Sequence, residues 1–209
     1  DNVFDESIIK RAKSSSKVSI NIHNFRDYSL DSHKKVDDTP YGGGCGMVLM
    51  AQPIYDCVES LRTKDSKVII LTPSGTPYKQ EIAYDLSKEK HLIIICGHYE
   101  GFDERIMALA DIQLSIGDYV LTGGEIPAMV LVDSITRLLP GVIKEESHLE
   151  DSFNEEKLLD YPTYTKPQNF RGMEVPEVLI SGDHKKIAEY RYQESLRRTR
   201  EKRPDLLEK

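Results

Sequence analysis

No stretch of this sequence is purely apolar for more than five residues. That is far short of the ~20 a membrane-spanning helix needs, so a transmembrane protein is excluded. Cysteine is scarce as well. Cys45, Cys57 and Cys96 are odd in number and widely spaced, with no CxxC among them, and no two histidines stand at i, i+4. A disulfide framework and a structural zinc site are disfavoured, and a reducing cytoplasm is the expected compartment. The opening residues, DNVFDE, carry no secretory signature. No GxGxxG follows a strand pattern and no GxxxxGK[ST] occurs, which argues against a Rossmann-type NAD site and a P-loop nucleotidase. An excess of positive charge is also missing. Lys and Arg number 28 against 35 Asp and Glu, for a net charge of −7 and a pI near 5.4. As a whole the chain is not built to coat nucleic acid.

What is present suits a folded protein. The 209 residues are 39% apolar and 30% charged, enough Ile, Leu and Val for a sizeable core and outside the ranges of disordered or collagen-like chains. Residues 17–23 (KVSINIH) alternate polar and apolar and predict a half-covered strand. Residues 67–71 (KVIIL) and 91–96 (HLIIIC) are continuous β-branched runs, the pattern of strands buried on both faces of a parallel sheet. Helical spacing lies between and after them. One helix starts near Pro53 with Ile54, Val58 and Leu61 on one face, and another covers 80–86. A third runs from Glu125, with Pro127 in its first turn, to Leu139 before Pro140-Gly141. Alternating strands and helices predict an α/β fold.

Beyond residue 143 the character changes. Residues 144–172 have no period, with seven Asp/Glu between Lys144 and Asp160, and read as a linker between a domain at 1–143 and a small helical one at 173–209. Asp183 is a good N-cap for a helix over 183–200. From 184 to 203 there are eight Lys/Arg and three Glu, a local charge of +5 that leaves −12 on the rest. One basic element on an acidic body suits a polyanion, although i, i+4 pairs such as Glu194–Arg198 would account for it too.

Three of the strand regions end in glycine-bearing loops: LTPSG at 71–75, CGHYEG at 96–101 and LSIGDYVLTGG at 114–124. Ligands of open α/β sheets bind beyond the carboxyl ends of the strands, and glycine there admits close approach. YGGGCGM at 41–47 is a further glycine-rich loop, able to cradle a phosphate or to serve as a flexible turn.

Read in order, VDDTPYGGG (36–44), CGHYEGFDER (96–105), SIGDYVLTGGE (115–125), PGV (140–142), DSF (151–153) and LLDYPTYTKP (158–167) resemble the bacterial tRNA (guanine-37-N1)-methyltransferases of the SPOUT class. The resemblance covers nearly the whole chain. It implies a parallel sheet with a deep trefoil knot, a homodimer, S-adenosylmethionine as methyl donor and tRNA as substrate, with residues 173–209 as a truncated tRNA-binding domain. It implies Asp151 as general base and Arg137 as the cation facing guanine O6. Cofactor contacts carried over by motif are Gly97, Tyr99 and Glu100 in the first loop. In the second they are Ser115, Ile116, Gly117, Asp118, Tyr119, Val120 and Leu121. Gly123, Gly124 and Pro127 follow, with Leu71 and Pro73 from the strand before. His98 departs from the Arg more usual there. No metal-ligand cluster surrounds Glu100, and a magnesium dependence stays open. The alternatives are a SPOUT enzyme acting on another RNA position and a non-catalytic RNA-binding module. The module does not explain the glycine loops or the DSF motif.

Overall fold

The computed structural model describes residues 2–143, 152–153 and 157–208. The chain divides into two compact units, Asp1–Ile143 and Lys144–Lys209.

The first unit opens with α1 (Ser7–Ser14). A short antiparallel pair, β1 (Asp37–Asp38) and β2 (Val48–Leu49), brackets the glycine-rich loop. Then come α2 (Ala51–Leu61), β3 (Ser66–Pro77), α3 (Gln80–Leu86), β4 (His91–Ile95), β5 (Ile112–Ser115) and α4 (Glu125–Thr136). The three longer strands form a parallel sheet in the order β4-β3-β5. Its centre, β3, explains the unbroken apolar run. Val68 and Ile70 point into one core with Ile54 and Val58 of α2, while Ile69 and Leu71 point into a second with Ala83, Leu131 and Ile135 of α3 and α4. Helices on both faces leave these four β3 side chains buried, at about 1.5–3 kcal/mol apiece.

Two sequence expectations are corrected here. Residues 17–23 form no strand; Ile22 is exposed, and the alternation finds no ladder partner among the described residues. LTPSG is not a strand-to-helix loop. β3 continues through it to Pro77, and Leu114 of β5 pairs with both Leu71 and Thr76. Pro73 sits where the register shifts, a place where its missing N–H costs no ladder bond. At Gly75 a Cβ would meet Leu114 main chain at 2.5 Å, so only glycine lets the strands touch there. Helix α4 stops at Thr136 rather than Leu139. Arg137 is its C-cap, and Leu138 and Leu139 tighten into i→i−3 bonds.

In the second unit, β6 (Asn169–Phe170) and β7 (Met173–Glu174) make a small hairpin. A helical turn, α5 (Glu177–Ile180), precedes the long α6 (His184–Lys202). Asp183 caps α6 by accepting from Lys186 N–H at 3.2 Å. Part of the segment read as a linker packs on this helix. Leu158 is buried, Leu159 N–H donates to Thr199 Oγ1 at 2.9 Å, and Arg198 donates to the Asp160 carbonyl. Arg191 lies 4.5 Å from the Tyr161 ring centroid. An apolar anchor and an aromatic ring within an acidic, aperiodic stretch were enough to dock it.

Candidate active site

The loops that follow β4 and β5 meet through their main chains. His98 and Gly123 form an antiparallel bridge, and Gly124 N–H donates to the Gly97 carbonyl at 2.8 Å. A Cβ on Gly124 would lie 2.6 Å from Gly97 N and 2.7 Å from Cys96 Cα. No other residue permits that approach. Gly124 is also the N-cap of α4, so one residue closes the loops together and starts the helix. Pro127 is buried in the first turn of that helix.

The second loop holds its own shape. Ser115 Oγ both donates to the Gly117 carbonyl (3.2 Å) and accepts from Gly117 N–H (3.3 Å). The Tyr119 hydroxyl donates to the Ile116 carbonyl at 3.2 Å. This folding leaves Asp118, Tyr119, Val120 and Leu121 exposed, with Val120 at 89%. Apolar side chains set out in water beside close-packed glycine backbone suit a flat, largely apolar ligand with polar edges. The adenosine part of S-adenosylmethionine has that chemistry, and the residues present fit it.

The first loop is tied outward. Tyr99, in left-handed conformation at φ 59°, packs edge-on against His98 and accepts from Arg26 Nη2 at 3.0 Å. Glu100 N–H donates to the Met47 carbonyl, and the Glu100 carboxylate lies against Gly46. The glycine-rich loop thus flanks the same loop. Leu71 turns its side chain into the core, which leaves any ligand contact there to its main chain, and Pro73 is exposed. Arg137 is half-buried at the end of α4. Asp151 lies outside the described residues. Among the described residues no group of three His, Cys, Asp or Glu is placed to hold a metal ion.

Electrostatics marks two further groups. Burial, then the Glu125 carboxylate, pushes the Cys96 thiol up to about 11, so it is a neutral packing group beside the loop. Asp103, whose carboxylate receives Arg105 Nε and Nη2 at 2.8 and 2.6 Å, is held down at about 2 and caps the 3-10 turn Glu104–Leu109. Sequence reasoning missed Arg26, and it placed Gly46 in a glycine-rich loop without its partner. Their partners lie 73 and 54 positions away, and no local motif signals such a pairing.

Comparison with known proteins gives a consistent result. A family model described as tRNA (Guanine-1)-methyltransferase TrmD matches residues 1–209. A Malacoplasma penetrans protein is 55% identical over 210 residues, covering 99% of this chain and 92% of its own. One from Bacillus pumilus is 54% identical over 213 residues, covering 100% and 87%. One from Aster yellows witches'-broom phytoplasma is 56% identical over 205 residues, covering 98% and 84%. All three bear the name tRNA (guanine-N(1)-)-methyltransferase.

Proposed function

The chain belongs to the tRNA (guanine-1)-methyltransferase family, and from that premise we propose that it methylates N1 of guanine 37 in tRNA, beside the anticodon, using S-adenosylmethionine. The observation that carries the reading is the backbone junction of Gly97 with Gly124, formed by two of the motifs that the family resemblance rests on. Guanine N1 holds its proton at neutral pH and is a poor nucleophile. S-adenosylmethionine supplies a methyl group activated on a sulfonium. This chain's residues have to remove the N1 proton and stabilise the charge that grows on O6. Asp151 is the base: a carboxylate with an ordinary pKa near 3.9 is ionised and ready to accept. Because N1 holds its proton far more tightly than a carboxylate does, Asp151 takes it as the methyl group moves and not before. Arg137 is the cation at O6, charged at every working pH. The main chain of Gly97 and of 116–121 would hold the adenine, with Tyr119 and Leu121 supplying apolar surface beside it.

The knot, the homodimer and the RNA-binding role of 173–209 belong to the same proposal. The junction of the two loops beside a β3 held between β4 and β5 supports the knot. Ile126 and Val130, exposed one turn apart on α4 with Val120 nearby in sequence, support burial against a second copy. On α6, Lys185, Arg200 and Lys202 have no ion-pair partner among the described residues, which leaves them to phosphates. Among the described residues no helix is long and apolar enough to cross a membrane. A cytoplasmic location is part of the same proposal, and the tRNA substrate and the free thiols support it. Mass spectrometry of a tRNA transcript incubated with the protein and S-adenosylmethionine tests the reading. N1-methylguanine at position 37 is the expected product, whereas methylation at a ribose or at another base overturns it.

A further inference from the structure

The β6–β7 hairpin has a construction its size does not require. Each strand contributes two residues, so no core of its own forms, yet its geometry is fixed. Arg171 and Gly172 make the two-residue turn with φ of 54° and 82°, the positive pair of a type I′ turn. Asn169 pins both ends, donating to Glu174 Oε1 at 3.1 Å and accepting from Gly172 N–H at 3.0 Å. Phe170 and Met173 stand opposite each other, hence on one face, and are 54% and 64% exposed. The Arg171 guanidinium lies 5.2 Å from the Phe170 ring centroid. A rigid turn therefore presents an aromatic face, a thioether and a cation to solvent, at a net loss unless something covers them.

Charge along this stretch of the chain points to the occupant. Residues 166–203 carry ten Lys/Arg against six Asp/Glu, and Arg171 sets one of those cations at the tip itself. A polyanion that also offers flat apolar faces satisfies both features, and single-stranded RNA is such a molecule. We propose that the Phe170–Arg171–Met173 tip is a stacking site for an unpaired base of the RNA substrate, separate from the base that is methylated. The ring and thioether take the base face and Arg171 takes the adjoining phosphate. This inference rests on the RNA-methyltransferase reading above.

The chain contains no tryptophan, so Phe170→Trp creates a single fluorescent reporter at the tip. Titration with tRNA should quench its emission along the binding curve, as stacking on a nucleobase does. Phe170→Ala should weaken tRNA binding by about tenfold, as loss of one base–aromatic stack does, and leave S-adenosylmethionine affinity unchanged. Arg171→Ala should weaken binding less and lower the salt slope by about one. A Phe170→Ala protein that binds tRNA like wild type overturns the proposal while wild-type methylation leaves the function standing. Emission that shifts with protein concentration and not with RNA overturns it in favour of self-association. Wild-type protein that neither binds nor methylates tRNA overturns both readings.

Discussion

Between Cys96 and Gly124 of the first unit, position is set by the main chain. Gly97, His98, Gly123 and Gly124 meet backbone to backbone, and Glu100 is anchored by its own N–H. In the second unit the contacts of α6 are made by side chains. Arg197 pairs with Glu194 and Glu201 at 2.7 and 2.8 Å, Arg198 reaches a carbonyl, and Arg191 and Arg203 lie over Tyr161 and Phe153. The difference matches the two tasks proposed above. A compact ligand whose methyl group must be aligned for attack needs a pocket that does not rearrange. An extended polyanion needs charge in the right region and tolerates side chains that swap partners.

The largest effect is expected at the proposed base and cation. Asp151→Asn keeps the shape but loses basicity. It should lower turnover by ~10²–10⁴-fold with tRNA and S-adenosylmethionine affinities nearly unchanged, as single-turnover kinetics beside equilibrium binding would show. Arg137→Ala should likewise strike turnover more than binding. An active Asp151→Asn beside a dead Asp160→Asn would move the base to the LLD motif.

A second pair of variants sharpens the contrast directly. Gly124→Val drives a branched side chain into the Gly97 and Cys96 main chain, which has no rotamer with which to yield. A cost of about 1–3 kcal/mol or more, a lower Tm and lost S-adenosylmethionine binding are expected. Arg197→Ala removes two ion pairs on an exposed surface. Its Tm should hardly move. Equal losses of Tm in the two variants would erase the distinction.

The smallest effect is chemical. Alkylation at pH 8 followed by peptide mass spectrometry should label exposed Cys45 first and leave Cys96 slow, since its thiol is held up to about 11. A thiol raised in the folded state favours folding fully below the unfolded value near 8.5. That contribution is lost as the pH climbs from there through about 11, so Cys96→Ala should flatten the alkaline fall in stability.

Much of the fold was legible because burial writes itself into composition: KVIIL and HLIIIC became β3 and β4, and the helices over 80–86 and from Asp183 lie where capping and spacing place them. What misled was local pattern without its partner. KVSINIH alternates like a strand but finds no ladder among the described residues. LTPSG carries two breakers that ordinarily end a strand, yet here they accommodate a register slip that only β5, some forty residues later, makes visible. At the site, glycines announced close approach but not what approaches. The Gly97–Gly124 contact and the Arg26–Tyr99 bond are long-range facts, and motif matching supplied the residues without their geometry.

The Gly124 peptide bears on how the molecule breathes. Its N–H is spent on Gly97 and its carbonyl accepts from Ala128 N–H at 2.9 Å, so hydrogen bonds run unbroken from the loop after β4 into the first turn of α4. Such a chain polarises along its length, and its members strengthen or loosen together. Loosening at residue 97 should then be felt as fraying at residue 128, and the exchange rate of the Gly124 amide with solvent would gauge whether loop and helix are latched.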